Sequence, residues 1–275
     1  MNFLGVYAQK FVSCRQNKLL FMSQTTNYIR TNFNPVEHGF HFGNGFLNTV
    51  IDMRIPKGTP DIILNWIKKQ GAEIVTKSDE REYLQVHAKG RCGGMAFASL
   101  DYFYSNKIIP RCSKSELTEE GVPYDDHPLA KYIHKRLFDS FLKESAFRFV
   151  SWTLHDDDPN LLFKGVRHWT WHDQFPVIQE AIHQGRPLPL GLVNAHNLLD
   201  IGAKNHQVVV YGYAYEPETE RLSLLLYDNN YPEAECVLTA TKQDKHFTQI
   251  NPGYSSDTWR GFFVQDYTPI VPPEL

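Results

Sequence analysis

The stretch NHQVVVYGYAYEPETERLSLLLYDNN, residues 205–230, holds two runs of β-branched, aromatic and leucine residues on either side of the polar segment Glu216-Pro217-Glu218-Thr219-Glu220. Such runs, bounded by a proline and a cluster of acids, read as two strands, and the short polar segment between them reads as the turn of an antiparallel hairpin. If the strands fold about residue 218, His206 lies twelve residues before the turn and Asp228 ten after it, so both fall at the same open end. A slip of one or two residues would bring Asn229 or Asn230 there instead.

Working outward, residues 188–193, Cys236-Val237-Leu238-Thr239 and Gly261-Phe262-Phe263-Val264 read as further strands of an antiparallel sheet. The middle of the chain has helical spacing instead. Leu129, Ile133, Leu137, Phe141 and Phe147 recur on one face of a long helix expected over 128–150, and residues 176–182 form another that ends by Gly185. Thr59-Pro60-Asp61 supplies an N-cap, a first-turn proline and a first-turn acid for a short helix whose apolar stripe is Ile63, Leu64 and Ile67, closed by Gly71. Residues 95–104 are nearly apolar all round, which predicts a buried central helix. Helices followed by strands make the fold class α+β.

Residues 1–58 lack sustained periodicity and are punctuated by Asn32, Asn34, Pro35, Gly39, Gly43 and Gly45; they predict an N-terminal arm or subsite wall. Phe40, Phe42 and Phe46 within it line a groove or partner surface, or else pack into the core. The whole chain, 1–275, reads as one domain with a core over 85–267, since neither repeats nor a shift in composition marks a boundary.

At 275 residues with 42% hydrophobic content, the chain is long enough for a sizeable core. Lys and Arg number 28 against 31 Asp and Glu, a net charge of -3, so no global field draws it to nucleic acid. Four cysteines, Cys14, Cys92, Cys112 and Cys236, are too few for a disulfide framework and form no C-x-x-C pair, which favours a reducing compartment. The apolar stretch 3–8 ends at Gln9 and Lys10 with no basic residue before it, unlike a secretory signal, and no run is long enough for a membrane span. A cytoplasmic protein, or one exported without a leader, is expected.

The chemistry centres on Gly90-Arg91-Cys92-Gly93-Gly94-Met95, a cysteine between glycine-rich backbone and an apolar helix. Free amides and the positive end of the helix dipole favour the thiolate, the reactive species, and can also hold an oxyanion on an attacked carbonyl. The bland reading is a small buried hydrophobe beside a turn. The company of His206 and Asp228 argues against it. An acid bonded to one ring nitrogen fixes the tautomer so that the other faces the thiol, which gives Cys92 as nucleophile, His206 as base and Asp228 as orienter. His87 is the rival base.

The Gly-x-Cys-Gly-Gly helix start, the Asn-His-Gln-Val strand and the Tyr-Asp strand end, spread over residues 85–230, together resemble the papain-like cysteine peptidase superfamily. Within it the chain is more similar to bacterial members, such as bacteriocin-processing peptidases and effector proteases, than to lysosomal cathepsins. The resemblance implies a central helix carrying Cys92, packed on an antiparallel sheet that carries His206 and Asp228. It implies a thiol hydrolase working through an acyl-enzyme without a cofactor or metal, on protein or peptide substrates. Many members place an oxyanion glutamine about six residues before the cysteine; Gln85, seven before Cys92, is the candidate, with a polar strand residue as its alternative. The same triad could instead serve glutamine deamidation or acyl transfer, and the fold could serve as a non-catalytic binding module.

Other motifs carry less. His168 and His172 have the i,i+4 spacing of a metal pair but no acidic partner or cysteine pair, so an aromatic surface is expected. Asp156-Asp157-Asp158 resembles the start of a calcium loop, but Leu161 occupies the turn position that needs glycine. Gly90, Gly93 and Gly94 lack the Lys-Ser/Thr pair of a phosphate-binding loop.

Overall fold

The computed structural model describes residues 26–159 and 164–274. Cys14, the apolar stretch 3–8 and Leu161 lie outside the described residues. The fold is mixed α+β with a curled antiparallel sheet. In chain order, β1 is Ile29–Arg30, α1 Pro35–His38, β2 Thr49–Arg54, α2 Asp61–Lys69, β3 Ile74–Thr76, β4 Glu82–Ala88, α3 Cys92–Tyr104 and α4 Pro128–Leu142. Then come α5 Arg148–Thr153, α6 Gly165–His168, α7 Phe175–His183, β5 Leu188–Val193, α8 Ile201–Lys204, β6 His206–Glu216 and β7 Arg221–Tyr227. The chain closes through β8 Cys236–Thr241, β9 Phe247–Ile250, β10 Ser256–Trp259 and β11 Gly261–Val264.

The large sheet runs β10-β9-β8-β7-β6-β5-β11, with β1 added beside β6. Its central strand β6 is buried on both faces, which is why its sequence is continuously apolar. Val208 and Val210 face a cluster with Ile178, Leu226 and Phe262, while Val209 and Tyr211 face Ala96 and Leu100 of α3. A bulge between Val210 and Gly212 reverses that alternation, so Tyr213 joins the first cluster. A second sheet, β2-β4-β3, turns Ile51, Met53, Leu84, Val86 and Ala88 toward Leu137 and Phe141 of α4.

The middle helix α3 is fixed by a buried charge cluster. Asp101 and Arg136 are 0% and 2% exposed, and Arg136 Nε donates to Asp101 Oδ2 at 2.6 Å. The hydroxyls of Tyr132 and Tyr267 donate to the same carboxylate at 2.8 and 2.7 Å. Every charge there has a partner, as a buried ion pair requires.

Three expectations are corrected. Residues 26–58 are no detached arm: Ile29 and Arg30 pair with Tyr213 and Gly212, and Phe40, Phe42 and Phe46 are buried against Met95, Tyr102 and Ile133. The helix expected over 128–150 is broken at Lys143, whose backbone is extended, because Ser145 and Asp266 exchange hydrogen bonds that hold the chain there. Thr59 does not cap α2; its hydroxyl donates to Pro56 O at 2.8 Å.

Candidate active site

Cys92 is the first residue of α3 and is partly exposed. Its turn is fixed from three sides. Gly90 has φ +76, which favours glycine, and a Cβ there would meet the amide of Asn44 at 2.6 Å. The same Asn44 accepts from Arg91 N at 2.6 Å, and Arg91, 4% exposed, donates to Ala130 O at 3.2 Å and pairs with Asp125. The first helical hydrogen bond runs from Met95 N to Arg91 O, so the amides of Cys92, Gly93 and Gly94 precede it and are the free donors of the helix start.

His206 opens β6, and Asp228 follows directly after β7. The ladder pairs Val209 with Tyr227. Continued by one step it would set Asp228 opposite Val208, so the carboxylate lies two residues along from His206 and on its face. Asp228 Oδ1 accepts from His206 Nε2 at 2.7 Å and from Asn230 N at 2.9 Å. A carboxylate only accepts, so Nε2 carries the proton and Nδ1 is the ring nitrogen left for Cys92, whose thiol is among the groups that raise the basicity of the ring. Trp259 covers the imidazole at 6.2 Å between centroids and 17° between planes.

Burial alone would lower the basicity of His206, but the charge and hydrogen bond of Asp228, together with the bond to Cys92, raise it well above the ordinary histidine value. Burial correspondingly opposes ionisation of Asp228, and the neighbouring His206 and the donors from Asn230 and Gln249 outweigh it, holding the carboxyl below its usual range. The pair therefore behaves as imidazolium and carboxylate.

A cavity of about 10 Å³ borders Cys92, lined in part by Ala88, Phe141, Ile201, Asn205, His206 and Gln207. Asn205 Nδ2 and Gln207 Oε1 are buried without a hydrogen-bond partner among the described residues. Gln207 lies under the first turn of α3, where a Cβ on Gly93 would meet its amide at 2.5 Å.

Gln85 is not brought to this site. The side chains of Leu84, Val86 and Ala88 fill the buried face of β4, and Gln85 stands on the opposite face, donating to Asp52 across the ladder at 3.3 Å. The exposed His87 shares that outer face and is no rival base. Asn229 is not a substitute acid: its amide donates to Cys92 O at 3.1 Å and to Gln207 O at 2.9 Å. Sequence reasoning missed this tie, and it also missed Asn44, Trp259 and Gln249, which are remote in sequence and carry no local motif. Among the described residues no cluster of three metal-binding side chains occurs, and the rings of His168 and His172 lie 4.4 Å apart, tilted by 32°. Asp157 is held by Arg260 Nε at 2.6 Å rather than left as a loop acid. No helix among the described residues is long and apolar enough to cross a membrane.

Comparison with protein-family models, with curated proteins and with solved structures finds no match to this chain.

Proposed function

We propose that this chain is a thiol hydrolase of papain-like arrangement, a cysteine protease acting on protein or peptide substrates, with Cys92 as nucleophile, His206 as base and Asp228 as orienter. The observation that carries the reading is the 2.7 Å bond from His206 Nε2 to Asp228, which leaves the other ring nitrogen for a cysteine at a helix start.

In the reaction, the proton of the Cys92 thiol already rests on His206 Nδ1, and the Cys92 thiolate of this ion pair attacks the substrate carbonyl carbon. The carbonyl electron pair moves to oxygen, where the free amides at the start of α3 stabilise it. Collapse breaks the C–N bond, the amine leaves with the proton from His206, and a thioester remains on Cys92. Water, deprotonated by His206, then attacks the thioester, releasing the acid and restoring the thiol. Asp228 keeps one tautomer throughout and stabilises the imidazolium.

The test is alkylation of wild type, His206→Ala and Asp228→Asn across pH, with modified cysteines located by peptide mass. Cys92 is expected to label faster than Cys14, Cys112 and Cys236 near pH 6, where thiols with pKa of about 8.5 are protonated, and to lose that advantage in His206→Ala. Equal labelling of all four, unchanged by either substitution, would leave a binding module as the better description.

A further inference from the structure

We propose that Gln249 is a positioning residue of this site, a buried amide that holds the second oxygen of Asp228 and the indole of Trp259 together and so sets the proton affinity of His206. This inference rests on the thiol hydrolase reading and adds to it a residue outside the triad.

Gln249 lies on β9 and is fully buried. Its Nε2 donates to Asp228 Oδ2 at 2.6 Å and to Asn251 Oδ1 at 2.7 Å, and its Oε1 accepts from Trp259 Nε1 at 3.0 Å. Two of these partners work in one direction only: an indole N–H can only donate and a carboxylate can only accept. They determine which end of the amide is oxygen. A side chain that both donates to Asp228 and accepts from Trp259 has to carry both functions, as an amide, a hydroxyl or a protonated acid does; a hydrocarbon of the same size does neither.

Asp228 then has its two oxygens divided between separate tasks. Oδ1 takes His206 and Asn230 N, while Oδ2 is held by Gln249. Without the Gln249 donor the carboxylate would be held at Oδ1 alone and could turn about its Cβ–Cγ bond more freely. Trp259, anchored at the other end of the same amide, covers the ring of His206. One side chain thus holds both the second oxygen of the acid and the indole that lies over the ring. The amide is itself backed by Asn251, whose Nδ2 donates to Asp257 Oδ2 at 2.7 Å, so the chain of donors reaches the surface.

The ionisable groups around the pair are few. His206 meets Asp228 and the Cys92 thiol. Asp228 also has the Cys236 thiol of β8 nearby, pushed up to about 12 chiefly by burial and therefore neutral, while Asp257 acts from beyond Asn251. A change at Gln249 therefore reaches His206 through Asp228.

The experiment compares iodoacetate and iodoacetamide as probes of Cys92 over pH 5–10 in wild type, Gln249→Leu, Gln249→Glu and Trp259→Phe. Iodoacetate is an anion and reacts fastest while His206 is an imidazolium, so its rate falls on the alkaline side as that proton leaves. The neutral reagent reports the thiolate and shows no such fall. In Gln249→Leu the alkaline midpoint is expected to drop by about one pH unit, the size that losing one charge-assisted hydrogen bond permits. Gln249→Glu should stay near wild type, because two adjacent carboxyls share one proton and the protonated one still donates. Trp259→Phe should shift the midpoint in the same direction as Gln249→Leu, by less, and remains informative if the leucine variant does not fold. A midpoint unmoved in folded Gln249→Leu, or moved equally by Leu and Glu, overturns the assignment. If wild-type Cys92 shows no selective labelling by either reagent, the thiol hydrolase reading itself has failed, a different outcome from a misassigned Gln249.

Discussion

Replacing Gly94 by alanine sets two effects of opposite sign against each other. In an exposed helix interior the change stabilises by about 1 kcal/mol, because glycine loses more backbone freedom on folding. In α3 the new Cβ would point into α4. It would sit inside contact distance of the Ile133 carbonyl oxygen and 3.0 Å from both Ile133 C and Leu137 N. These neighbours are all backbone, so no rotamer change relieves the clash and the two helices must separate. The separation would loosen the cluster that Met95 and Ala98 make with Leu129 and Ile133. Overpacking of this kind costs about 1–3 kcal/mol, and a rigid neighbour places Gly94→Ala at the upper end, so the net loss after the propensity gain is about 1–2 kcal/mol. For a chain of this size that lowers Tm by about 2–8 °C. Gly93→Ala meets the amide of Gln207 and the hydroxyl of Ser140, each at 2.5 Å, and these side-chain atoms can yield, so its loss should be smaller. Thermal unfolding followed by circular dichroism, with urea titration for the free energy, measures both. The reasoning is refuted if Gly94→Ala matches or exceeds wild type, or if Gly93→Ala is the more damaging.

Removing the cation from the buried cluster of α3, in Arg136→Met, leaves the fully buried Asp101 without its counter-charge, and a loss of about 3–5 kcal/mol in urea unfolding is expected. A loss below about 1 kcal/mol would mean that the tyrosine hydroxyls suffice. The folded pKa of His206 lies above its unfolded value of about 6.5, so the stabilisation it brings is whole below that pH and is lost as pH rises through the folded value. The folded pKa of Asp228 lies below its unfolded value of about 3.9, so its contribution is present above that pH and is lost as pH falls through the folded value. The gap in urea midpoint between wild type and His206→Gln should therefore be widest between about pH 4 and 6.5 and close on the alkaline side; a gap that grows with pH would contradict the assignment.

The parts of this fold legible in the sequence are those where pattern and environment coincide. β6 and β7 read as strands because they are buried on both faces, and a polar turn between two apolar runs makes them partners, with the register left open by a residue or two. α3 read as a buried helix for the same reason. The small sheet was not read, although β2 and β4 alternate apolar with polar residues such as Asp52 and Gln85 as half-buried strands do, because α2 and β3 separate the two in the chain and no tight turn announces their pairing. The break in the helix at Lys143 has no local cause: Ser145 and Asp266, far apart in sequence, impose it. Gln85 was misplaced because spacing along a chain says nothing of the face a strand residue occupies. The bulge at Tyr211 was also hidden, and it matters to the site: the register of the turn end, carried on without it, would set Asp228 opposite Val209 and on the face away from His206, whereas the one-residue shift sets it opposite Val208.

Cys92 and the His206–Asp228 pair are held by different hydrogen-bond partners, although α3, β6 and β7 share one packed cluster. Asn44 and Arg91 hold the cysteine turn to α4 and to residues near the start of the described chain, while Gln249 and Trp259 hold the pair to β9 and β10. Separate anchoring of the two halves does not by itself produce a working distance between sulfur and nitrogen. Asn229 connects them: one amide nitrogen donates both to the carbonyl of Cys92 and to that of Gln207, and its own backbone follows Asp228. Through that nitrogen the helix start is referenced to the residues next to base and acid. A shift of either half by the length of a hydrogen bond would leave a buried donor unpaired, at a cost of about 1–3 kcal/mol. The relative placement of Cys92 and His206 is thus held by the Asn229 amide together with the packing of α3 on β6 and β7.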